Sequence, residues 1–156
     1  MIDASRQTYF TPYDDAQTPL LNPINSATKK IRLADYSFNL NSVVQALIAK
    51  HQAGLDVSLV LDKSQAGGST EVPEVNSLKL AGVPLVVGSS DKGKIMHLKV
   101  IIVDDATVGS GSYNFTGTAD LEDNFFDVEH NVERAAAFTA YWQKVHDWIA
   151  TKTPSV

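Results

Sequence analysis

The sequence of 156 residues contains no cysteine. A chain without thiols forms neither disulfides nor thiolate metal sites, and it cannot use a cysteine nucleophile. No apolar run approaches the roughly 18 residues of a membrane-spanning helix, and residues 1–10 contain no apolar stretch typical of a signal peptide. We therefore expect a soluble protein, either cytoplasmic or exported after removal of a signal peptide, whose chemistry relies on His, Lys, Asp, Glu, Ser and Thr side chains.

Positive charge is also scarce. The 13 Lys and Arg residues are outnumbered by 18 Asp and Glu residues, which gives a net charge of −5. A surface built throughout to hold a polyanion would carry the opposite sign. Lys92, Lys94 and Lys99 nevertheless cluster around His97. They form either a local basic patch for a phosphate or an ordinary solvated loop.

Apolar residues are plentiful, at 44% of the chain, and their spacing alternates between helical and strand periods. Helices are predicted at residues 18–27, from the cap Asn41 to the stop Gly54, at 73–81 and at 132–150. Strands are predicted at residues 31–38, 57–61, 83–87, 97–103, 107–112 and 124–128. We predict one α/β domain over residues 1–156, with a mainly parallel mixed sheet, helices on both faces and an antiparallel pair around the turn at Asp104.

The stretch HLKVIIVD, His97–Asp104, contains three side chains that could take part in catalysis: His97, Lys99 and Asp104. Successive side chains of a strand point to opposite faces, so His97 and Lys99 are expected on one face and Leu98 on the other. A nucleophilic imidazole and a fixed cation would then point into the same space.

The segment GSYN, Gly111–Asn114, follows after six further residues. Ser112 and Asn114 share a parity on the expected returning strand, so a hydroxyl and an amide can join the imidazole and the cation. Such a pocket suits a tetrahedral oxyanion: Lys99 neutralises charge, Ser112 and Asn114 donate hydrogen bonds, and His97 faces the phosphorus.

The spacing HxKx4Dx6GSxN resembles the HKD signature of the phospholipase D superfamily. Its six specified positions are His97, Lys99, Asp104, Gly111, Ser112 and Asn114. Other segments are similar to the small, single-motif bacterial nuclease branch: YFTP near Tyr9, ADYSF at Ala34–Phe38, LDKSQ at Leu61–Gln65 and GSYNFT at Gly111–Thr116. The resemblance covers nearly the whole chain and implies the phospholipase D/nuclease fold.

Members of this superfamily use two HKD motifs per active site, whereas this sequence contains one. The resemblance therefore implies a homodimer with an isologous interface that brings His97 of each copy to one phosphate. One His97 would be the nucleophile and form a phosphohistidine, and the second would protonate the leaving oxygen and later activate water. The two Lys99 cations would supply the electrostatic stabilisation, with no metal and no other cofactor.

The resemblance also implies an acidic residue about ten positions beyond GSxN, which fixes the tautomer of the nucleophilic ring. Asp123 is the first candidate and Glu122 the alternative, because the spacing here is shorter than in relatives. Asp104 is retained as a catalytic candidate from the motif, although its place at a turn favours backbone capping. Tyr36 is a residue that this sequence shares with the family. The neighbouring Asp35 departs from the family pattern, because its side chain is acidic.

Three functions follow as hypotheses. The first is a metal-independent, nonspecific endonuclease that hydrolyses DNA, with RNA as an open second substrate and no stable membrane association. The second is a phospholipase D or cardiolipin-type lipid phosphodiesterase, which calls for an exposed apolar rim or an anchor. The third is an inactive nucleic-acid-binding dimer, against which the intact His97 and Lys99 argue.

Overall fold

The computed structural model describes residues 6–152. Its strands are β1 (Arg6–Thr11), β2 (Lys30–Asp35), β3 (Asp56–Asp62), β4 (Leu85–Gly88), β5 (Lys99–Val103), β6 (Thr107–Gly111) and β7 (Asn124–His130). Its helices are α1 (Gln17–Ser26), α2 (Asn41–Gln52), α3 (Lys63–Ala66), α4 (Val72–Leu80) and α5 (Val132–Ala150), with a short 3-10 turn at Ala119–Leu121. The strands form one sheet in the order β1-β7-β6-β5-β2-β3-β4.

The α/β class and the mixed sheet are confirmed, but parallel pairs are in the minority, contrary to expectation. Within residues 6–152, β2 pairs in parallel with β3 and β3 with β4. The four pairs β1–β7, β2–β5, β5–β6 and β6–β7 are antiparallel. The reason lies in the connections. Helices carry the chain between β2, β3 and β4, whereas a tight turn joins β5 to β6 and a loop with the short 3-10 turn joins β6 to β7, and both reverse its direction.

Helices cover both faces of the sheet, as predicted. One core lies beneath α1, α2 and α4, with buried side chains such as Leu20, Leu47 and Leu78 packed towards Ile101. The other lies beneath α5, where Trp142 packs with Val100, Ile102, Val108, Ala135 and Ile149. The indole Nε1 of Trp142 also donates a hydrogen bond to the carbonyl oxygen of Leu33, at 2.9 Å. The polar atom of this large core residue is therefore satisfied.

Strand β5 is the element that positions the site. Its five residues, KVIIV, are all buried, and β-branched side chains at four positions favour the extended conformation. Ile101 and Val103 belong to the core under α1 and α2, while Val100 and Ile102 belong to the core under α5. By this alternation Lys99, the first residue of β5, shares a face with Ile101, and the neighbouring Leu98 packs on the opposite core.

Candidate active site

One edge of the sheet gathers most of the predicted site residues. Because β5 runs antiparallel to β2 and β6, and β6 antiparallel to β7, the start of β5 lies beside the ends of β2 and β6 and near the start of β7. This geometry brings together His97 and Lys99 at the start of β5, Ser112 and Asn114 just after β6, and Tyr36 just after β2.

The sequence pattern predicts a strand over residues 97–103 that includes His97. In the structure His97 lies two residues before β5. The preceding N–H, of Met96, donates to the carboxylate Oδ2 of Asp62 at 2.6 Å. Met96 therefore bonds to a side chain and not to the backbone of a neighbouring strand, and β5 begins at Lys99. The imidazole is exposed, and its ring meets the ring of Tyr36 edge to face, with centroids 4.8 Å apart.

The pKa of His97 lies below its ordinary value of 6.5, because burial disfavours the charged ring and the Lys99 ammonium repels it, while Asp62 opposes the shift. At neutral pH the ring is therefore held in its neutral form. A neutral imidazole has a lone pair on one nitrogen, which is what a nucleophile or a general base requires.

Lys99 is buried, at 8% exposure, and its ammonium is well supplied with partners. The Nζ atom donates to the carbonyl oxygen of His97 at 3.0 Å and lies 5.0 Å from the centre of the Tyr36 ring. Burial lowers the pKa of Lys99, while the carboxylates of Asp35 and Asp62 favour its charged form. An ammonium has three N–H donors, so donors remain for a phosphate oxygen beside the imidazole.

Ser112 and Asn114 are fixed by neighbouring elements. The Ser112 hydroxyl donates to Oδ1 of Asn124 at 3.0 Å and accepts the backbone N–H of Phe125 at 3.1 Å. Oδ1 of Asn114 accepts the backbone N–H of Ser37 at 3.3 Å, which keeps the N–H donors of that amide for a ligand.

Gly111 precedes Ser112 at a point of close backbone approach. A Cβ atom at this position would overlap the backbone oxygen of Phe125 on β7. The glycine therefore allows β6 and β7 to close against each other where the Ser112 turn begins.

Asp123 and Glu122, the two candidates for orienting the imidazole, lie just before β7. Asp123 is exposed immediately before β7, and within residues 6–152 no hydrogen bond joins Asp123 or Glu122 to His97. Glu122 instead accepts a long hydrogen bond, 3.4 Å, from Asn124 Nδ2, and Asn124 in turn holds Ser112. The alternative candidate is thus linked to the pocket through Asn124, and the first candidate is not.

Asp104 lies at the opposite end of β5 from the site, roughly 17 Å from Lys99 at the usual rise of a strand. Its backbone φ of 54° belongs to the turn into β6. Its carboxylate accepts the backbone N–H groups of Thr28, Lys29 and Lys30, each at 2.8 Å. Burial alone would raise the pKa of Asp104, but these N–H groups outweigh it and hold the pKa below 3.8. The contacts of Asp104 therefore fasten β2 to the turn and leave it away from the pocket.

Tyr36 and Asp62 are site residues that the sequence patterns did not single out. Tyr36 contacts both His97 and Lys99, and its hydroxyl accepts a hydrogen bond from Gln65 Nε2 at 3.0 Å. Asp62 caps α3 through Ser64 N–H with one oxygen and holds Met96 with the other. The available signal was that each follows or ends a buried parallel strand, where the carboxyl ends of neighbouring strands meet.

Beside His97 a cavity of about 540 Å³ opens between the segment 90–98 and α5. Its walls include Met96, Leu98, Val145 and Trp148, so they are largely apolar. Lys92 and Lys94 are exposed on the same segment. The segment is closed by mutual bonds of Ser90 and Lys94, since Ser90 N–H donates to Lys94 O at 2.7 Å and Lys94 N–H donates to Ser90 Oγ at 3.1 Å.

Residues 6–152 contain neither a clustered metal site nor a membrane-spanning helix. Among these residues no group of three or more His, Asp or Glu side chains is arranged to hold a metal ion. No helix in the same range combines the length and apolar character needed to cross a membrane.

A mixed sheet whose edge presents His, Lys, Ser and Asn in the HxK and GSxN order defines the phospholipase D class of proteins. Comparison of the sequence with known families agrees: the family described as "Cardiolipin synthase, PLD-like domain" matches residues 20–145. The chain belongs to this family, and the resemblance drawn from the motif is confirmed.

Individual relatives support the same assignment. Phospholipase D of Rickettsia prowazekii is 31% identical over 152 residues, which cover 95% of this chain and 68% of that protein. Phospholipase D of Rickettsia bellii is 29% identical over 137 residues, and the match spans 66% of its length. The crystal structure of Nuc from Salmonella typhimurium, a phospholipase D family member, is 34% identical with a TM-score of 0.82, covering 90% of this chain and 93% of Nuc.

Proposed function

We propose that this chain is a metal-independent phosphodiesterase that hydrolyses nucleic acid, at a site completed by a second copy of the chain. The observation that carries the proposal is the pairing of His97, whose lowered pKa keeps it neutral, with the buried ammonium of Lys99 and the donors Ser112 and Asn114 at one sheet edge. A neutral nucleophile beside a fixed cation suits attack on an anionic phosphodiester.

The proposed reaction has two displacements. In the first, a ring nitrogen of the neutral His97 bonds to phosphorus and the P–O bond to the leaving group breaks. His97 of the second copy, which the bound phosphodiester anion keeps protonated, gives that oxygen a proton. In the second, a water molecule attacks phosphorus, passes a proton to the second His97, and breaks the N–P bond. The sum is a diester and water giving a monoester and an alcohol, with both histidines restored.

The other residues stabilise charge and orientation in this scheme. Lys99 and the amide N–H groups of Asn114 bind the non-bridging oxygens, where charge accumulates in the transition state. Ser112 joins them when its single O–H turns from Asn124 Oδ1 to the phosphate. Orientation of the His97 ring by an acid is part of the proposal. Asp123 was the first candidate and Glu122 the alternative, and the link through Asn124 favours Glu122. We assign Asp104 a structural role because all of its hydrogen bonds lie at the far end of β5.

DNA is the proposed substrate, with RNA left open. The resemblance to the single-motif nuclease branch supports it, as does the near-complete mutual coverage with Nuc. Exposed Lys92 and Lys94, close in sequence to the imidazole, provide cations for flanking phosphates even though the whole chain is acidic.

A lipid phosphodiester is the second candidate, and one observation favours it. The apolar cavity beside His97 offers walls for the acyl or glycerol part of a phospholipid. The sequence pattern had given no sign of such an apolar surface. The relatives named phospholipase D are consistent with this alternative.

The test compares substrates directly. Purified wild type, His97→Ala and the control His130→Ala, which replaces an exposed histidine at the end of β7, are assayed on plasmid DNA, single-stranded DNA, RNA, phosphatidylcholine and cardiolipin, with and without excess EDTA. We expect nucleic acid cleavage by wild type and by His130→Ala, unchanged by EDTA, and none by His97→Ala.

Other outcomes are equally informative. Lipid turnover without nucleic acid cleavage would replace the nuclease proposal with the lipid alternative. Full activity of His97→Ala would refute the phosphohistidine mechanism. DNA binding without turnover of any substrate would leave the inactive binding dimer.

A further inference from the structure

Asp35 is a buried acid in direct register with the reactive lysine. It is the last residue of β2, it is 0% exposed, and its Cα partner on the antiparallel neighbour β5 is Lys99. Carboxylates are almost never fully buried without a partner, because a charged group loses much favourable hydration when it leaves water. A fully buried acid at this place calls for an explanation.

The two carboxylate oxygens of Asp35 have different surroundings. Oδ2 accepts the backbone N–H of Phe115 at 2.7 Å. Oδ1 is buried and has no hydrogen-bond partner among residues 6–152. The next residue towards the pocket, Asn114, accepts the backbone N–H of Ser37. Two hydrogen bonds therefore join the end of β2 and the residues after it to the Asn114–Phe115 turn.

The charged and titratable groups that face Asp35 come from three elements. Lys99 faces it from β5, Glu71 from the start of α4, and Tyr113 from the turn after β6. Burial raises the pKa of Asp35 well above its ordinary value. The Phe115 N–H, Lys99 and the backbone N–H of Tyr36 act against this, and Glu71 adds to it. Lys99 is the one cation of this set, and it is also the residue proposed to bind phosphate.

We propose that Asp35 is a positioning residue of the phosphate pocket, which anchors the Asn114–Phe115 turn and, when ionised, is the counter-charge of Lys99, so that phosphate binding to the ionised form is coupled to proton uptake by Asp35. The inference rests on the proposed phosphodiesterase function. When a phosphate anion approaches Lys99, two anions compete for one buried cation. Protonation of Asp35 removes one of them, and the unpartnered Oδ1 is the oxygen that can take the proton.

The coupling has a definite sign. Raising the pH favours the Asp35 carboxylate, which competes with substrate, so KM of the wild type rises with pH while kcat changes less. Asp35→Asn is nearly isosteric, and its Oδ1 can still accept the Phe115 N–H, but it carries no charge. We expect this variant to have a KM that lacks this rise and is roughly three- to tenfold lower than that of the wild type at the alkaline end. Asp35→Ala also loses the anchor, so its kcat should fall as well.

Proton uptake can be measured without turnover. Calorimetric titration of inorganic phosphate into wild type, in two buffers of different ionisation enthalpy, gives the number of protons bound with the ligand. The titration is repeated at increasing pH up to the alkaline end, where Asp35 is ionised before phosphate binds. We expect Asp35→Asn to take up fewer protons than wild type. The control Glu129→Gln, which alters a buried acid bound by Arg6 and Arg134 near the far end of β7, should match wild type.

The outcomes separate the two proposals. Failure of wild type to bind phosphate would overturn the phosphate pocket itself. Phosphate binding with equal proton uptake in wild type and Asp35→Asn would overturn the role of Asp35 and leave the phosphodiesterase proposal standing. If Asp35→Asn does not fold, carbon NMR of wild type decides: the pKa of the Asp35 carboxyl should rise when phosphate is added, and an unchanged pKa contradicts the coupling.

Discussion

The ring of Tyr36 meets the imidazole of His97 edge to face, with the two centroids 4.8 Å apart and the planes at 68°. The same tyrosine ring lies under the Lys99 ammonium, 5.0 Å from Nζ. One aromatic side chain therefore contacts both groups to which the proposal gives chemical roles. It limits the positions that the exposed imidazole can adopt before substrate arrives.

Replacing Tyr36 should reduce catalysis according to how much of the ring is lost. Tyr36→Phe keeps both ring contacts and loses only the bond from Gln65, so kcat/KM should fall less than about threefold. Tyr36→Ala removes an edge-to-face contact and a cation–π contact, and a loss of roughly tenfold or more is expected. Steady-state kinetics on a phosphodiester substrate measures both. Tyr13→Ala, at a tyrosine that is 90% exposed, is the control, and equal losses in all three variants would contradict the assignment.

The His97 ring should titrate below the ordinary histidine range. Activity that needs the neutral ring falls as pH drops through the lowered pKa, so the acid limb of the pH profile lies below about 6.5. Because the Lys99 charge contributes to this shift, Lys99→Met should raise the pKa of His97. Proton NMR of the imidazole follows the titration in both proteins. A His97 pKa above 6.5 in wild type, or one unmoved in Lys99→Met, would speak against this electrostatic arrangement.

Asp104 should matter for stability and not for turnover. Asp104→Ala leaves three backbone N–H groups without their acceptor and places alanine at a positive φ, so the free energy of unfolding should fall by about 1–3 kcal/mol. Asp104→Asn tolerates the turn better and should cost less. Asp105→Asn is a matched control, with the same conformation and an ion pair to Lys30.

The pH dependence of that effect has a fixed direction. The folded pKa of Asp104 is depressed, so the stability from its carboxylate is present above the unfolded value near 3.8 and is lost as pH falls through the lower folded value. Denaturant unfolding should therefore show the gap between wild type and Asp104→Asn at pH 7 closing below about pH 4. A kcat loss in Asp104→Asn as large as that in His97→Ala would return Asp104 to the catalytic set.

Salt should separate a polyanionic substrate from other ligands. If Lys92 and Lys94 contact flanking phosphates, the logarithm of the DNA affinity falls linearly with the logarithm of salt concentration. Neutralising both with Gln should reduce that slope by about one to two units. Binding to catalytically silent His97→Ala, measured by fluorescence anisotropy, supplies the slopes. Lys79→Gln, an exposed lysine near the end of α4, should leave the slope unchanged; an equal slope in the Lys92 and Lys94 variant would exclude these contacts.

Periodicity predicted most elements because their apolar faces are long and regular. Helix α5 was bounded correctly at Val132–Ala150, and β5 was recognised by its β-branched run. Strand β1 was missed because it is a largely exposed edge strand, RQTYFT, with little apolar alternation. Helix α3 was missed because its four residues contain no full helical repeat.

Strand directions and the bonding of the acids could not be predicted in the same way. Whether β5 is parallel or antiparallel to β2 depends on tertiary packing. The spacing of apolar residues along one strand carries no information about its direction relative to another. The spacing of the motif brings His97, Lys99, Ser112 and Asn114 to one edge, because β5 and β6 are adjoining antiparallel strands. It did not show that His97 precedes β5 or that Ser112 and Asn114 follow β6. Asp104 belongs to the motif but lies elsewhere, because the four strand residues 100–103 separate it from Lys99.

Gly111 belongs to the HKD signature for a structural reason, whereas His97 belongs to it for a chemical one. Its lack of a side chain is a demand of the backbone, because any Cβ there would overlap Phe125. A descendant of this protein that gave up hydrolysis would be free to replace His97, yet it would still need glycine at 111 to close its sheet. A relative that has glycine at position 111 therefore shares the fold. Only a histidine at position 97 indicates that it also shares the chemistry.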